Sequence, residues 1–94
     1  MSIYTVKIQM VADLRGHTRC HYCRRETNTK QNSPLQRTLE HIVPKGRGGS
    51  DFVSNLTIAC RKCNEERGSK MFFHKCKKCD RIINEFLESR KTNA

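Results

Sequence analysis

Two short cysteine pairs, Cys20-x-x-Cys23 and Cys60-x-x-Cys63, are separated by 36 residues and constrain this chain more than any other feature. Each pair can present two thiolates from one turn. Two such pairs complete a tetrahedron around zinc, and a site closed by four thiolates leaves no coordination position for water, so the metal would be structural. Composition explains why a staple is needed. Of 94 residues only 35% are apolar and 30% are charged, and chains this small and lean are usually held together by metal or disulfides. Arg19, Arg24, Arg61 and Lys62 flank the pairs and favour the thiolate form.

A third pair, Cys76-x-x-Cys79, leaves alternatives open. With His74 and either His17 or His21 it would make a second zinc site, or it could replace Cys60 and Cys63 in the first. Cys76, Cys79, Ile83 and Phe86 also share one helix face. The reading preferred for this pair is small apolar core.

Lys and Arg number 19 against 9 Asp and Glu, a net charge of +10, spread along both halves of the chain. Such a balance points to a polyanion, with nucleic acid as the leading partner. No apolar run exceeds three residues, whereas a membrane span needs about 20. The start, Met1-Ser2-Ile3-Tyr4, lacks the regions of a signal peptide. The expected compartment is therefore a reducing cytoplasm, where paired cysteines more often bind metal than form disulfides.

Periodicity predicts a helix over residues 5–15, with Ile8, Val11, Ala12 and Leu14 near one face and Gly16 as its stop. Segment 17–25 reads as a knuckle turn and 26–34 as a polar loop. Residues 36–43 have strand composition, ended by Pro44. Three glycines within 46–49 require a loop. Residues 56–59 read as a second strand, a helix follows from about 60 to 67, and a last helix runs from about 75 to 90. On that helix Ile82, Ile83, Phe86 and Leu87 form an apolar patch that either covers the core or makes a dimer surface.

The stretch between the cysteine pairs carries the chemistry. It reads Leu39-Glu40-His41-Ile42-Val43-Pro44, a Gly-rich loop, Asn55-Leu56, then Cys60-Arg61-Lys62-Cys63-Asn64. In this order, over about residues 17–70, it resembles the HNH endonuclease family. A length of 94 residues fits a single domain over 1–94, and the resemblance implies a small zinc-stabilised α+β fold for it. Its ββα-metal core would have strands at about 37–43 and 56–59 and a helix at about 60–67, flanked by N- and C-terminal helices.

The resemblance also implies roles. His41 would be the general base, a task suited to an imidazole, which titrates near pH ~6.5. Glu40 and Asn64 would hold one divalent ion. Magnesium or manganese fits, since magnesium accepts few protein ligands and binds phosphate oxygens. Asn55 would hold the loop that aims His41. Neighbours on a regular strand point to opposite faces, so Glu40 and His41 can share a site only if the strand bends or the site wraps its edge. Arg47, Arg67 and Lys70 are candidate phosphate contacts, with His74 another. The products would be a 5′-phosphate and a 3′-hydroxyl. Glu40 stands where Asp is common, and Asn64 where many members carry His. Glu65 and Glu66 replace the usual basic residues and would face away or assist the metal.

The resulting expectation is a metal-dependent DNA endonuclease, a nickase or double-strand cutter of phage or mobile-element type. DNA is its partner, and the chain has little room for a separate specificity domain. A second copy of the chain or a directing protein would supply what it lacks. The alternative is a zinc-knuckle nucleic-acid-binding module without catalysis, which would not need Glu40, His41 and Asn64 together.

Overall fold

A run of Thr38, Leu39 and Glu40 alternates polar and apolar residues, so a strand made from it has two unlike faces. The computed structural model describes residues 3–75 and 77–92, and it builds the fold around those two faces. Strand β1 (Arg37–His41) pairs antiparallel with β2 (Leu56–Cys60) in a two-stranded sheet, with Arg37 opposite Cys60, Glu40 opposite Thr57 and His41 opposite Leu56. Helix α1 (Ile3–Arg15) precedes the sheet, α2 (Arg61–Arg67) follows β2 directly, and α3 (Lys77–Thr92) closes the chain. Two single 3₁₀ turns, Lys45–Arg47 and Val53–Asn55, interrupt the loop between the strands.

One face of the sheet belongs to α1. Val11 and Ala12 are buried with Leu56 and Ile58, and Ile8 and Leu39 pack beside them. The guanidinium of Arg15 donates to Leu56 O at 2.7 Å and fastens the helix end to β2. Gly16, at φ 74°, then takes the left-handed conformation that ends the helix. Leu14 departs from expectation. It is 64% exposed and shares the outer side of α1 with Ile3, Val6 and Met10.

The other face carries α2, the knuckle and α3. Cys20, Tyr22, Ile42, Val43, Ala59, Cys60, Cys63, Phe73 and Ile83 form its buried cluster, with Phe86 and Leu87 packed against it. The C-terminal helix thus serves the core through Ile83, while Ile82 is 42% exposed. Cys76 and the side chain of Cys79 lie outside the described residues, and so does the choice among their readings.

The strand at 36–43 is shorter than its composition predicts. Ile42 N still donates to Asn55 O at 2.8 Å, but Val43 N turns to the side chain of Asn55 instead of a partner strand. The loop 26–34 is more ordered than its polarity suggests. Isolated bridges join Arg19 to Glu26 and Asn28 to Gln36, and buried Thr27 donates its hydroxyl to Thr18 O and accepts from Arg37 Nε.

Candidate functional site

The four cysteines of the two pairs meet as their spacing predicts. Their sulfurs all lie within 4.8 Å of one another, with Cys20, Cys60 and Cys63 buried and Cys23 half-buried. Cys23 Sγ and Cys60 Sγ are 3.9 Å apart. A zinc–sulfur bond of about 2.3 Å gives a tetrahedral edge of about 3.8 Å, so the cluster is already sized for zinc. Local structure explains the convergence. Arg24 adopts a positive φ of 67°, which turns the first pair back on itself. Cys60 is the N-cap of α2, and its sulfur accepts from Cys63 N at 3.5 Å. Burial pushes the Cys60 and Cys63 thiols up. Cys20 is also buried, but backbone N–H groups of Cys23, Cys60 and Tyr22 aimed at its sulfur prevail and lower it. A bound cation would satisfy all four as thiolates.

At the other end of the sheet the buried group is a carboxylate. Glu40 is 7% exposed. Its Oε1 accepts from His41 N at 2.9 Å and its Oε2 from the Tyr22 hydroxyl at 3.0 Å. Arg67 Nη1 lies 3.6 Å from the same Oε2. Burial pushes the Glu40 carboxyl up, opposed by Arg67, Tyr22 and the His41 N–H. Burial next to that carboxylate also pushes the Tyr22 hydroxyl up, so it stays a donor.

Arg67 is the anchor of this network. It is 1% exposed, and its five N–H donors are all used. They go to Lys70 O, the Tyr22 hydroxyl, His41 O, Ile42 O and Met71 O at 2.6–3.0 Å. An arginine has five such donors, so none is left for a phosphate. The expectation that Arg67 contacts nucleic acid is therefore corrected: it holds the end of β1 from inside.

Asn64, one helical turn before Arg67, reaches the same strand. Its Nδ2 donates to Thr38 Oγ1 at 2.9 Å and to Leu39 O at 3.3 Å. That leaves the amide oxygen as the atom Asn64 could offer a cation. Asn64 and Glu40 thus both lie between α2 and β1. A carboxylate has about four acceptor positions, of which two are engaged here, by His41 N and the Tyr22 hydroxyl. The donor set, one carboxylate and one amide oxygen, suits a hard divalent ion.

His41 is the last residue of β1 and emerges at the strand's end. Its side chain is 21% exposed, and Nε2 lies 2.8 Å from Asp51 Oδ1, while Lys45 Nζ lies 2.9 Å from the other oxygen, Oδ2. Hydrogen bonds from His41 and Lys45 pull the Asp51 carboxyl down to about 2. Asn55 closes the base of the loop. Its Nδ2 donates to Val43 O at 3.0 Å and Ser50 O at 2.8 Å, and its Oδ1 accepts from Val43 N at 2.8 Å.

Arg47 and Lys70 both lie on the surface beside this end. Arg47 Nε donates to Ser69 O at 3.3 Å, so the loop and the turn after α2 present them side by side. His74 is exposed and sits 3.8 Å from Glu66. Glu65 pairs with Arg61 at 2.8 Å and Glu66 with Lys75 at 2.9 Å, so both glutamates turn to cations of their own chain. The reading of the sequence missed Tyr22 and Asp51. Tyr22 sits between two ligating cysteines, where its hydroxyl carried no separate signal. Asp51 was a lone acid after a Gly-rich loop.

A family model described as HNH endonuclease matches residues 20–74, more than half of the chain. That span begins at the first zinc-pair cysteine and takes in both strands, α2 and every residue of the polar network. A search of the curated proteins found no match.

Proposed function

The chain belongs to the HNH endonuclease family, and on that premise we propose that it hydrolyses phosphodiester bonds of DNA, with His41 as general base and a structural zinc on Cys20, Cys23, Cys60 and Cys63. The observation that carries the reading is the order of groups along β1: Asn64 bonds Thr38 and Leu39, and Glu40 and His41 follow at the strand's end. Magnesium or manganese would be held by Glu40 and Asn64. Bound there, such an ion supplies positive charge for the phosphoryl and leaving oxygens.

The protein's own residues do the rest. His41 accepts a proton from water beside the phosphate. Asn55 fixes the loop base on both sides, so that His41 and Asp51 keep their relation. Arg67 neutralises Glu40 and secures the carbonyls of His41 and Ile42. Arg47 and Lys70 would meet the DNA backbone. The net charge of +10 supports a polyanionic partner. Cleavage leaves a 5′-phosphate and a 3′-hydroxyl. A double-strand break would take two nicks or a second copy of the chain. No described helix is long and apolar enough to cross a membrane.

The test is nicking of supercoiled plasmid by zinc-loaded protein, with magnesium or manganese added or withheld. His41→Ala is expected to lower the rate roughly 10²- to 10⁴-fold, the range for loss of a general base, and withholding the ion to stop it. One observation favours the non-catalytic zinc-knuckle reading: Arg67 already places a cation 3.6 Å from Glu40. Binding of DNA without nicking, across metals and substrates, would establish that reading instead.

A further inference from the structure

His41 is held at three points, and the third involves a residue outside the motif. Its N–H donates to Glu40 Oε1 at 2.9 Å and its carbonyl accepts from Arg67 Nη1 at 2.8 Å, so its backbone is fixed from both sides. Its ring then meets Asp51 at 2.8 Å through Nε2.

The loop is built to deliver that carboxylate. Gly49 passes so close to Val43 that a Cβ there would collide with the Val43 carbonyl. Asn55 ties Val43 to Ser50, the residue just before Asp51. Lys45 takes the second oxygen of Asp51 at 2.9 Å, which leaves Oδ1 turned to the imidazole. Gly49, Asn55 and Lys45 thus converge on one contact.

An ionised aspartate only accepts hydrogen bonds, so the nitrogen facing it must carry the hydrogen. In a neutral imidazole the other nitrogen then has the lone pair. We infer that Asp51 is a positioning residue for His41: it holds the imidazole in the Nε2–H tautomer and makes Nδ1 the nitrogen that accepts the proton from water. The role in catalysis rests on the nuclease reading above. The tautomer itself does not. In the reaction, water gives one proton to Nδ1 and its oxygen bonds to phosphorus. The bond from phosphorus to the 3′-oxygen breaks, and that oxygen takes a proton from solvent. The Asp51 carboxylate faces the imidazolium so formed and stays ionised, as in other acid–histidine pairs.

The experiment uses the full, zinc-loaded chain labelled with ¹⁵N, at a pH where free imidazole is neutral. Long-range ¹H–¹⁵N correlations of the rings are recorded, with the His41 signals assigned by their loss in His41→Ala. The wild type is expected to show a protonated Nε2 and an unprotonated Nδ1. Asp51→Ala should turn that pattern into a mixture of tautomers. Asp51→Asn should shift it towards a protonated Nδ1, because Lys45 keeps the single amide oxygen and the amide NH₂ then faces Nε2. In the nicking assay Asp51→Ala should lower kcat roughly tenfold to a hundredfold with little change in KM, the usual scale for a residue that orients a working group, and Asp51→Asn should recover none of the loss. A wild-type ring protonated at Nδ1, or a ring pattern unmoved by Asp51→Ala, overturns the inference even if the protein nicks DNA. A ring that responds as expected in a protein that nicks nothing overturns the nuclease reading and leaves the tautomer assignment standing.

Discussion

The two ends of the sheet are built on opposite principles. Cys60 stands opposite Arg37 at one end of the ladder and His41 opposite Leu56 at the other. Four residue steps separate them, roughly 14 Å at about 3.4 Å per step. The cysteine end gathers four identical soft side chains, three of them buried, in a cluster that a single ion could close. The histidine end gathers unlike groups: a buried carboxylate, a buried guanidinium, an amide and a half-buried imidazole. Most of these are already engaged with the chain itself. One end can serve only as a clamp. The other is cross-linked by hydrogen bonds among its own side chains and backbone. The clamp sits where β2 becomes α2, so it sets the angle at which Asn64 and Arg67 cross β1.

The largest effect should come from the clamp. Structural zinc in small domains contributes about 10–16 kcal/mol, on the order of the whole stability of such a chain. Stripping zinc, or Cys60→Ser, is expected to unfold the protein, read by circular dichroism together with zinc stoichiometry. An apo protein that still melts cooperatively would show the polar end to be a second, independent staple.

Arg67→Met tests that end next. It leaves Glu40 buried without its cation and four carbonyls without a donor, and breaking a buried pair in this way costs about 3–5 kcal/mol. Denaturant titration should show that loss with zinc still bound. If stability is unchanged, the comparison between the ends fails, because Arg67 would then be ornamental. Asn55→Ala should act in the same direction but less, by about 1–3 kcal/mol in all, the scale for one buried donor left unpaired, with Val43 N–H the chief casualty. Reduced nicking beyond that explained by unfolded protein would tie the loop base to His41. The smallest effect belongs to the surface. Lys70→Ala should leave the melting curve in place and lower the salt dependence of DNA binding by about one phosphate contact. An unchanged salt slope would move the DNA track away from this edge.

Legibility in the sequence followed the range of the interactions. The cysteine pairs were readable because each is a local chelating turn, and Asn55 because it stands next to a strand in an ordered motif. Both strands and α2 came close to their expected bounds. Arg67 was misread because a cation near a helix end is almost always solvated, and the carboxylate that draws it inward lies on another element. The early end of β1 had the same kind of cause, a side chain from the far side of the loop capturing the Val43 N–H. Leu14 fitted the apolar face of α1 on paper, but the sheet is only two strands wide and has no surface left to cover it.

Asn55 also makes the loop between the strands a closed ring. Its carboxamide joins Val43 to Ser50 across a base of three hydrogen bonds, and the chain between them bears no weight for the sheet. At Gly46 an added Cβ would meet nothing within 4 Å. Lengthening a flexible loop costs only about 0.6 kcal/mol per doubling. A change of length at Gly46, the middle of the Lys45–Arg47 turn, would thus be felt first by the Lys45–Asp51 and Arg47–Ser69 contacts on either side and would reach the strands only through Asn55.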